Sequence, residues 1–534
     1  MIRNILIISF LLQFSFTVSA QRPNIVWITC EDMSPHLGSY GETIAKTPNL
    51  DALAKDGMRF SNAFTTAGVC APSRASIITG MYHTFIGAQN MRVSMPDASI
   101  NEFPSNFISY QAVPPPYVKC FPEYLRAAGY YCTNNSKTDY QFQAPPTVWD
   151  ESSKNAHYRN RPDKNQPFFS VFNIETTHEG QVNKLKNEDL LIDPDDVLVP
   201  PYYPDTKIVR DNIARFLTNV MRMDKRAGQI IDDLKKENIY DNTIIFFYSD
   251  HGDALPYVKR EILKRGIHVP LLVKMPLDQS KSKGMVSDRM ISFIDLAPTV
   301  LSLAGVTIPQ HFKGKAFLGN AATAQGHTYI FAARNRMDAN YEMARSVHDG
   351  KYQLIKNYYP DLPRYYDNYY RRNQQPMMEE ILNLRKEGKL NETVLRWFAS
   401  KPVYELYDLQ NDPHELNDLA KDSKYQSKLV ELQKALADWQ AINDPYEQVP
   451  EMEMVDKWWS GKKEMPVTEL PVILVRNNVA TISCLTPGAS IGYKMRDNES
   501  WKVYTGPFPL KADAVVSAVA HRIGYKRSKV VTYN

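Results

Sequence analysis

Asn24-Ile25-Val26-Trp27-Ile28-Thr29 runs through Cys30 into Glu31-Asp32. An apolar run of strand length without polar alternation is the pattern of a β-strand buried on both faces. Two carboxylates at its end then stand at the rim of a sheet, where ligands gather in parallel α/β architectures. Two further runs share the pattern. Phe168 to Ile174 is followed by His178, and Thr243 to Tyr248 by Asp250-His251. Between them Ile213, Phe216, Leu217, Val220, Met223, Ile230, Ile231 and Leu234 share one face of a long amphipathic helix. Thr47-Pro48 reads as an N-cap with Pro at the first helical position, opening a short helix that ends near Gly57. Strands alternating with helices predict an α/β domain with a large, mostly parallel central sheet flanked by helices.

Beyond about residue 338 the segments shorten and alternate, as in Met343 to Lys356 and Val403 to Tyr407. A helix follows, with Leu429, Leu432, Leu436 and Trp439 at spacings of three and four. Residues 339–460 therefore read as a smaller α+β subdomain after a domain at 21–338. Tyr358 to Tyr370, crowded with Tyr, Pro and Arg, reads as an ordered surface loop, and Asp444 to Thr468 as a polar connector. From Val472, short strands alternate with the turn residues Arg476-Asn477-Asn478, Pro487-Gly488, Asp497-Asn498 and Gly506-Pro507, which predicts a small β-sandwich over 469–534.

The 534 residues are 43% hydrophobic, 11% aromatic and 23% charged, which excludes disordered, collagenous and coiled-coil classes. The net charge of +4 is spread without a basic run, so no nucleic-acid partner is expected. Residues 1–20 have the layout of a signal peptide: Met1-Ile2-Arg3, an apolar stretch from Ile5 to Phe16, and Val18-Ser19-Ala20 for cleavage after Ala20. The apolar stretch is too short for a membrane span, and no Cys follows Ala20 to take a lipid anchor. An exported protein, periplasmic or secreted and without stable membrane insertion, is expected. Cys30, Cys70, Cys120, Cys132 and Cys484 make an odd number, so at least one thiol stays unpaired or is chemically altered. Whether Cys120 and Cys132 pair is left open.

Cys70-Ala71-Pro72-Ser73-Arg74 places a thiol just before a helix start, where the helix terminus and Arg74 both favour an anion. Glu31-Asp32 alone is most simply a solvated turn, and Asp250 alone a cap. Together with His251 they offer the oxygen-rich donor set of a hard cation. Lys137 and Lys259 taken singly read as surface lysines, and His178 as a loop histidine.

Four segments carry a resemblance: R-P-N-I-V-W-I-T-C-E-D from Arg22, T-P-N-L-D-A-L-A-K-D-G from Thr47, C-A-P-S-R-A-S-I-I-T-G from Cys70 and Y-S-D-H-G-D from Tyr248. In this order they resemble the formylglycine-dependent sulfatases of the alkaline-phosphatase-like superfamily, over roughly residues 22 to 440. Asp193 to Pro200, and Glu405-Leu406-Tyr407-Asp408 leading to Asp412-Pro413-His414-Glu415, are similar to the N-sulfoglucosamine sulfohydrolase (heparan N-sulfatase) branch.

The resemblance implies an alkaline-phosphatase-like sandwich and hydrolysis of sulfate from sulfated carbohydrate, such as heparan-type glycosaminoglycan carrying N- or O-sulfate. It implies that a maturation enzyme oxidises Cys70 to formylglycine, whose hydrate attacks sulfur. One Ca2+ would be held by Glu31, Asp32, Asp250, His251 and residue 70. Arg74 would stabilise the diol and sulfate, Lys137 and Lys259 would bind sulfate oxygens, and His178 would protonate the leaving atom. The chain departs from the family at Glu31, where many members carry Asp, and at His251, often Asn. It departs also at Asp139, usually a basic residue, and at Lys259, which tends to be Arg in the N-sulfatase branch.

The tail segments C-L-T-P-G-A-S-I-G-Y-K from Cys484, W-K-V-Y-T-G-P-F from Trp501 and A-H-R-I-G-Y-K-R-S from Ala520 resemble the small sandwich that ends some chitobiases and β-hexosaminidases. Trp501 and Tyr504 are expected to pack its core. Two other functions compete. A phosphatase or phosphodiesterase on the same scaffold would favour a Ser or Thr nucleophile on two zinc ions, and Cys70 speaks against it. A catalytically degenerate glycan-binding protein would keep Cys70 unmodified.

Overall fold

The computed structural model describes residues 22–94, 103, 106–277, 283–496, 499–511 and 514–534. The signal-peptide segment 1–20 and the Asp497-Asn498 turn lie outside the described residues. Eight strands form the main sheet: β1 (Asn24–Cys30), β2 (Met58–Phe64), β3 (Tyr131–Asn135), β4 (Glu151–Ser152), β5 (Phe168–Ile174), β6 (Thr243–Ser249), β7 (Leu271–Lys274) and β8 (Met285–Ser292). Their order is β4-β3-β5-β1-β6-β7-β2-β8. β4, β3, β5, β1 and β6 run parallel to one another. β7 is antiparallel to both neighbours, and β2 and β8 resume the common direction. The carboxyl ends of β1, β2, β3, β5 and β6 therefore open onto one rim.

Side chains of β1 alternate between two cores, as the period of a strand requires. Val26, Ile28 and Cys30 face the helix Lys207–Lys236, whose buried stripe includes Ile213, Phe216, Leu217 and Val220. Ile25 and Trp27 face Phe121, Phe169, Phe246 and Leu296 on the other side. The Trp27 ring meets Phe169 and Tyr248 edge-on at centroid distances of 5.1 and 5.3 Å. Both faces are dry, which explains the unbroken apolar run. Full burial of each such side chain is worth about 1.5–3 kcal/mol. Helix Pro48–Asp56 starts with Pro at its first position, but the Thr47 hydroxyl does not cap it; it accepts from Gly38 N at 2.9 Å.

A second, antiparallel sheet follows in the order β12-β11-β10-β9, from β9 (Ile330–Arg334), β10 (Ala344–His348), β11 (Tyr352–Asn357) and β12 (Tyr404–Asp408). Leu429, Leu432, Leu436 and Trp439 of helix Gln426–Asn443 pack on its Val347, Leu354 and Leu406. The stretch expected to be a polar connector contains helix Glu451–Trp459 instead. Glu451, Met454, Val455 and Trp459 repeat at helical spacing, and the apolar three bury against Val93, Phe107 and Tyr110. Glu451 accepts from Arg336 Nε at 2.6 Å and Tyr110 Oη at 2.8 Å, so even its acidic member is paired inside.

The tail forms two antiparallel sheets. One comprises β13 (Val472–Arg476), β14 (Val479–Ser483) and β17 (Phe508–Pro509); the other comprises β15 (Ser490–Lys494), β16 (Lys502–Val503), β18 (Val516–His521) and β19 (Val531–Tyr533). Their seam with the main domain is close. Lys119 Nζ donates to Gly488 O at 2.7 Å, and Arg126 donates to Trp501 O at 2.6 Å. Gly488, at φ +77°, lets the backbone approach so near that a Cβ there would stand 2.2 Å from Pro116 O. Ile523 belongs to the same apolar core as Trp27 and Phe121. Trp501 and Tyr504 are half-buried. All five cysteines are free thiols. Among the described residues no helix is long and apolar enough to cross a membrane.

Candidate active site

The five strand ends deliver their polar residues to one point. Cys30 of β1 pairs in register with Ser249 of β6, so Glu31-Asp32 and Asp250-His251 leave the sheet side by side. Asp32 takes φ +51° at this exit, and its N–H donates to Asp250 Oδ1 at 3.2 Å. Ser249 Oγ accepts from Met33 N at 2.9 Å and donates to His251 O at 2.8 Å, locking the two exits together.

From β2 the chain passes through Thr65 to Val69 into helix Cys70–Thr79, all of whose residues are buried. Cys70 is its first residue, so unpaired N–H groups of the first turn lie around its side chain. Ser73 Oγ contacts Thr65 Oγ1 and donates to Asp250 O, both at 2.6 Å. Arg74, four residues on and hence on the same helix face, donates Nε to Asp250 Oδ2 at 2.9 Å and NH1 to Asn173 Oδ1 at 2.9 Å. Its NH2 reaches Glu31 Oε1 at 3.3 Å.

Cys70 Sγ, 2% exposed, lies 3.2 Å from His251 Nε2, 3.7 Å from Asp32 Oδ1 and 3.8 Å from Lys259 Nζ. Lys137, beyond the end of β3, puts Nζ 2.9 Å from Glu31 Oε1. His178, beyond β5, stands with Nε2 3.9 Å from Glu31 Oε2. Every sequence-predicted residue thus falls in one connected cluster. Asp139 sits at its edge, 3.8 Å from Lys137.

Hydrogen bonds place the histidine protons. His251 Nδ1 lies 2.9 Å from Gly252 O, a pure acceptor, so Nδ1 carries a proton, while Nε2 points at Cys70 and stands 3.0 Å from Asp32 Oδ1. Against burial, Asp250, Cys70 and Asp32 push the ring's pKa up, so Nε2 is protonated too and donates to Asp32. His178 differs. Its Nδ1 accepts from Gly180 N at 3.2 Å, which leaves the proton on Nε2, facing the cluster. Burial and the nearby Lys259 push the His178 pKa down. Burial pushes Glu31 up to about 7 against the pull of Lys137 and Arg74. Burial would also raise Asp32, yet Lys259, His178 and His251 hold it well below the usual carboxylate range.

The donor set suits a divalent cation. Ligand atoms from Glu31, Asp32, Cys70 and His178 lie within 4.8 Å of one another, as do those from Cys70, Asp250 and His251. Three buried carboxylates face one space with Nε2 of His251, which would join a bound ion on giving up its proton, the convergence such an ion requires.

Sequence reading passed over Asn173, Glu179 and Arg260. Glu179 Oε1 lies 3.2 Å from Lys259 Nζ, and both its oxygens accept from Arg260 at 3.0 and 2.8 Å. Their adjacency to His178 and Lys259 was the available signal.

The sulfatase family model matches residues 23–306, and that of the N-sulphoglucosamine sulphohydrolase C-terminal region matches residues 252–393. An ulvan-active sulfatase of Formosa agariphila is 40% identical, covering 96% of this chain and 91% of its own. The chain belongs to the sulfatase family. This sulfatase is also 26% identical to human N-sulphoglucosamine sulphohydrolase, over 82% of this chain and 94% of that one. Its fold matches a structure solved in complex with the substrate D-glucosamine-2-N,6-O-disulfate, at TM-score 0.56 and 18% identity, covering 80% of this chain and 99% of the other. The large mixed sheet and the smaller sheets at the C-terminal end are the architecture of those sulfatase folds.

Proposed function

We propose that this sulfatase is an exported enzyme, periplasmic or secreted, that hydrolyses sulfate from a sulfated carbohydrate. In this reading residue 70 acts as formylglycine made by a maturation enzyme, and Glu31, Asp32, Asp250, His251 and residue 70 hold one Ca2+. The catalytic domain is 21–338, with 339–460 as its subdomain and 469–534 as the appended sandwich.

The observation that carries the reading is the meeting, at the first residue of a buried helix, of three carboxylates with Arg74, Lys137 and Lys259. The cation, when bound, supplies positive charge that acidifies a hydroxyl of the hydrated residue 70 and balances sulfate oxygens. Arg74, gripped by Asp250 and Glu31, keeps a fixed positive group one helical turn from residue 70. Lys137 and Lys259 approach from β3 and from the loop after β6, the arrangement that binds an oxyanion from two sides. His178 aims its Nε2–H at the departing oxygen or nitrogen and stabilises it by a hydrogen bond, and it delivers a proton there once the ring has taken a second proton at Nδ1 in place of the Gly180 N–H contact. The relatives named for ulvan and for N-sulfoglucosamine, and the fold neighbour holding a glucosamine disulfate, support a sugar as the leaving group.

The test is sulfate release over a panel of defined N-, 2-O-, 3-O- and 6-O-sulfated saccharides, with enzyme shown by mass spectrometry to carry the aldehyde. Release from at least one is expected. Activity on an O-sulfate with none on glucosamine N-sulfate removes the N-sulfatase assignment. Silence on every sugar removes the function proposed.

A further inference from the structure

A chain of alternating charges leads outward from residue 70. Lys259 and Arg260 share Glu179, and Arg260 and Arg92 share Asp338, with Arg260 Nε 3.4 Å from Asp338 Oδ2 and Arg92 Nε 3.3 Å from Asp338 Oδ1. Lys259 also pairs with Asp32, so three cations meet three carboxylates along this chain. Lys259, Glu179 and Arg260 are buried, whereas the Arg92 side chain is 39% exposed and its terminal amino groups have no partner among the described residues. Of the three cations, Arg92 is therefore the one presented to an incoming ligand.

Its position is fixed with some effort. Arg92 takes φ +64°, in the left-handed region that costs a non-glycine residue of order 1 kcal/mol or more. The buried Arg336 holds it there: Met91 N donates to Arg336 O at 2.8 Å, and the Arg336 guanidinium donates to Met91 O and Arg92 O. Met91 packs with Val69 and Ala71, which flank Cys70, so the residue before Arg92 touches the walls of the site.

Tyr370 completes the arrangement. Its helix, Tyr369–Gln374, is capped by Asn368, which also donates to Asp338 Oδ2 at 2.6 Å. A Cβ on Gly180 would stand 2.8 Å from Tyr370 Oη and 3.3 Å from His178 Nδ1, so the phenol lies beside the candidate acid. That hydroxyl has no hydrogen-bond partner among the described residues.

We propose that Arg92 and Tyr370 form a subsite for a second oxyanion group, a carboxylate or a sulfate on the sugar next to the one being desulfated. A guanidinium whose two terminal amino groups have no partner among the described residues can take such a group bidentately, and the phenol adds a donor. This rests on the sulfatase reading of the same site and narrows it to polyanionic chains.

The test uses full-length, aldehyde-bearing enzyme and disaccharides sharing one sulfated sugar. The neighbouring sugar carries a carboxylate, a sulfate or a neutral hydroxymethyl group. For Arg92→Gln, the ratio of kcat/KM on a charged substrate to that on the neutral one falls about tenfold or more, through KM, as loss of a charged hydrogen bond predicts. Arg92→Lys falls between, and Tyr370→Phe lowers the ratio less. The charged sugar with the larger Arg92-dependent ratio identifies the natural group.

Calorimetric binding of the same disaccharides without the scissile sulfate separates this proposal from the first. If wild type releases no sulfate yet binds the charged ligand better than the neutral one in an Arg92-dependent way, the sulfatase reading fails and the subsite stands. A ratio unchanged by Arg92→Gln, or charged ligands that bind no better than neutral ones, overturns the subsite.

Discussion

Two buried clusters of charge lie within a few residues of each other along the chain and behave differently. In one, Glu261 meets Arg334 at 2.9 Å and Arg364 at 3.6 Å, Arg334 meets Glu342 at 2.5 Å, Lys401 meets Glu342 at 2.5 Å, and Arg364 meets Glu405 at 2.6 Å. Every carboxylate is spent on a cation, and nothing reactive stands among them. This cluster fastens β9 and β12 of the second sheet to the loop that carries Lys259. In the other, Glu31, Asp32 and Asp250 are also buried beside cations, but all three face the thiol of Cys70. Burial of charge is common to both. Convergence on a reactive atom belongs to one, and that marks chemistry rather than fastening.

The sharpest way to break the contrast is Cys70→Ala. Sulfate release by matured protein should fall at least about 1000-fold, as expected for loss of a nucleophile, with the thermal midpoint little changed. Undiminished release would put the site elsewhere. Removing divalent ions with a chelator should lower activity by roughly 100-fold and lower Tm, because a ligand bound only to the folded state stabilises it by mass action. Added Ca2+ should restore both, and a preparation indifferent to chelation in both readouts would refute the cation.

The fastening cluster should respond in stability instead. Glu405→Ala leaves Arg364 short of its main partner and should cost about 3–5 kcal/mol in urea unfolding. The protein that remains folded should keep kcat within about threefold. Replacing Arg364 and Glu405 together with Met should recover most of the loss; failure to recover it would mean that the pair does more than fasten.

The smallest effect concerns His36, held between Glu42 and Asp253 at 2.9 Å each. Burial would lower its pKa, but the two carboxylates carry it from 6.5 up to about 10. A raised pKa means that this contribution is complete below pH 6.5 and fades as pH climbs through about 10. The stability advantage of wild type over His36→Gln in urea unfolding, on the order of 1 kcal/mol, should therefore shrink across that alkaline range. An advantage that instead grew with pH would show His36 to be neutral.

Legibility followed physical cause. β1, β5 and β6 could be read because strands buried on both faces must be apolar throughout. β2, Met58–Phe64, is only partly buried and mixes Arg59, Ser61 and Asn62 with its apolar residues, so it gave no such signal. Glu31-Asp32 and Asp250-His251 stood out as clusters at strand ends, and Cys70 as a thiol at a helix start beside Arg74. Lys137 was reachable only through family resemblance, since a single lysine carries no pattern of its own. Glu179, Arg260 and Asp338 escaped because a buried ion pair is defined by a partner far along the chain, as with Glu179 and Arg260, 81 positions apart. The helix Glu451–Trp459 escaped for a related reason. Its polar residues read as a connector, whereas Arg336 and Tyr110, far away in sequence, surround Glu451 and bury that side.

The seat of Ile523 has a consequence for how the molecule is built. With that side chain lodged against the same layer as Trp27, the terminal sandwich is no cassette that can be cut away or traded intact between enzymes. Synthesis must pass residue 523 before one face of the great sheet is sealed. Until then that face of the sheet lacks one of the side chains that close it.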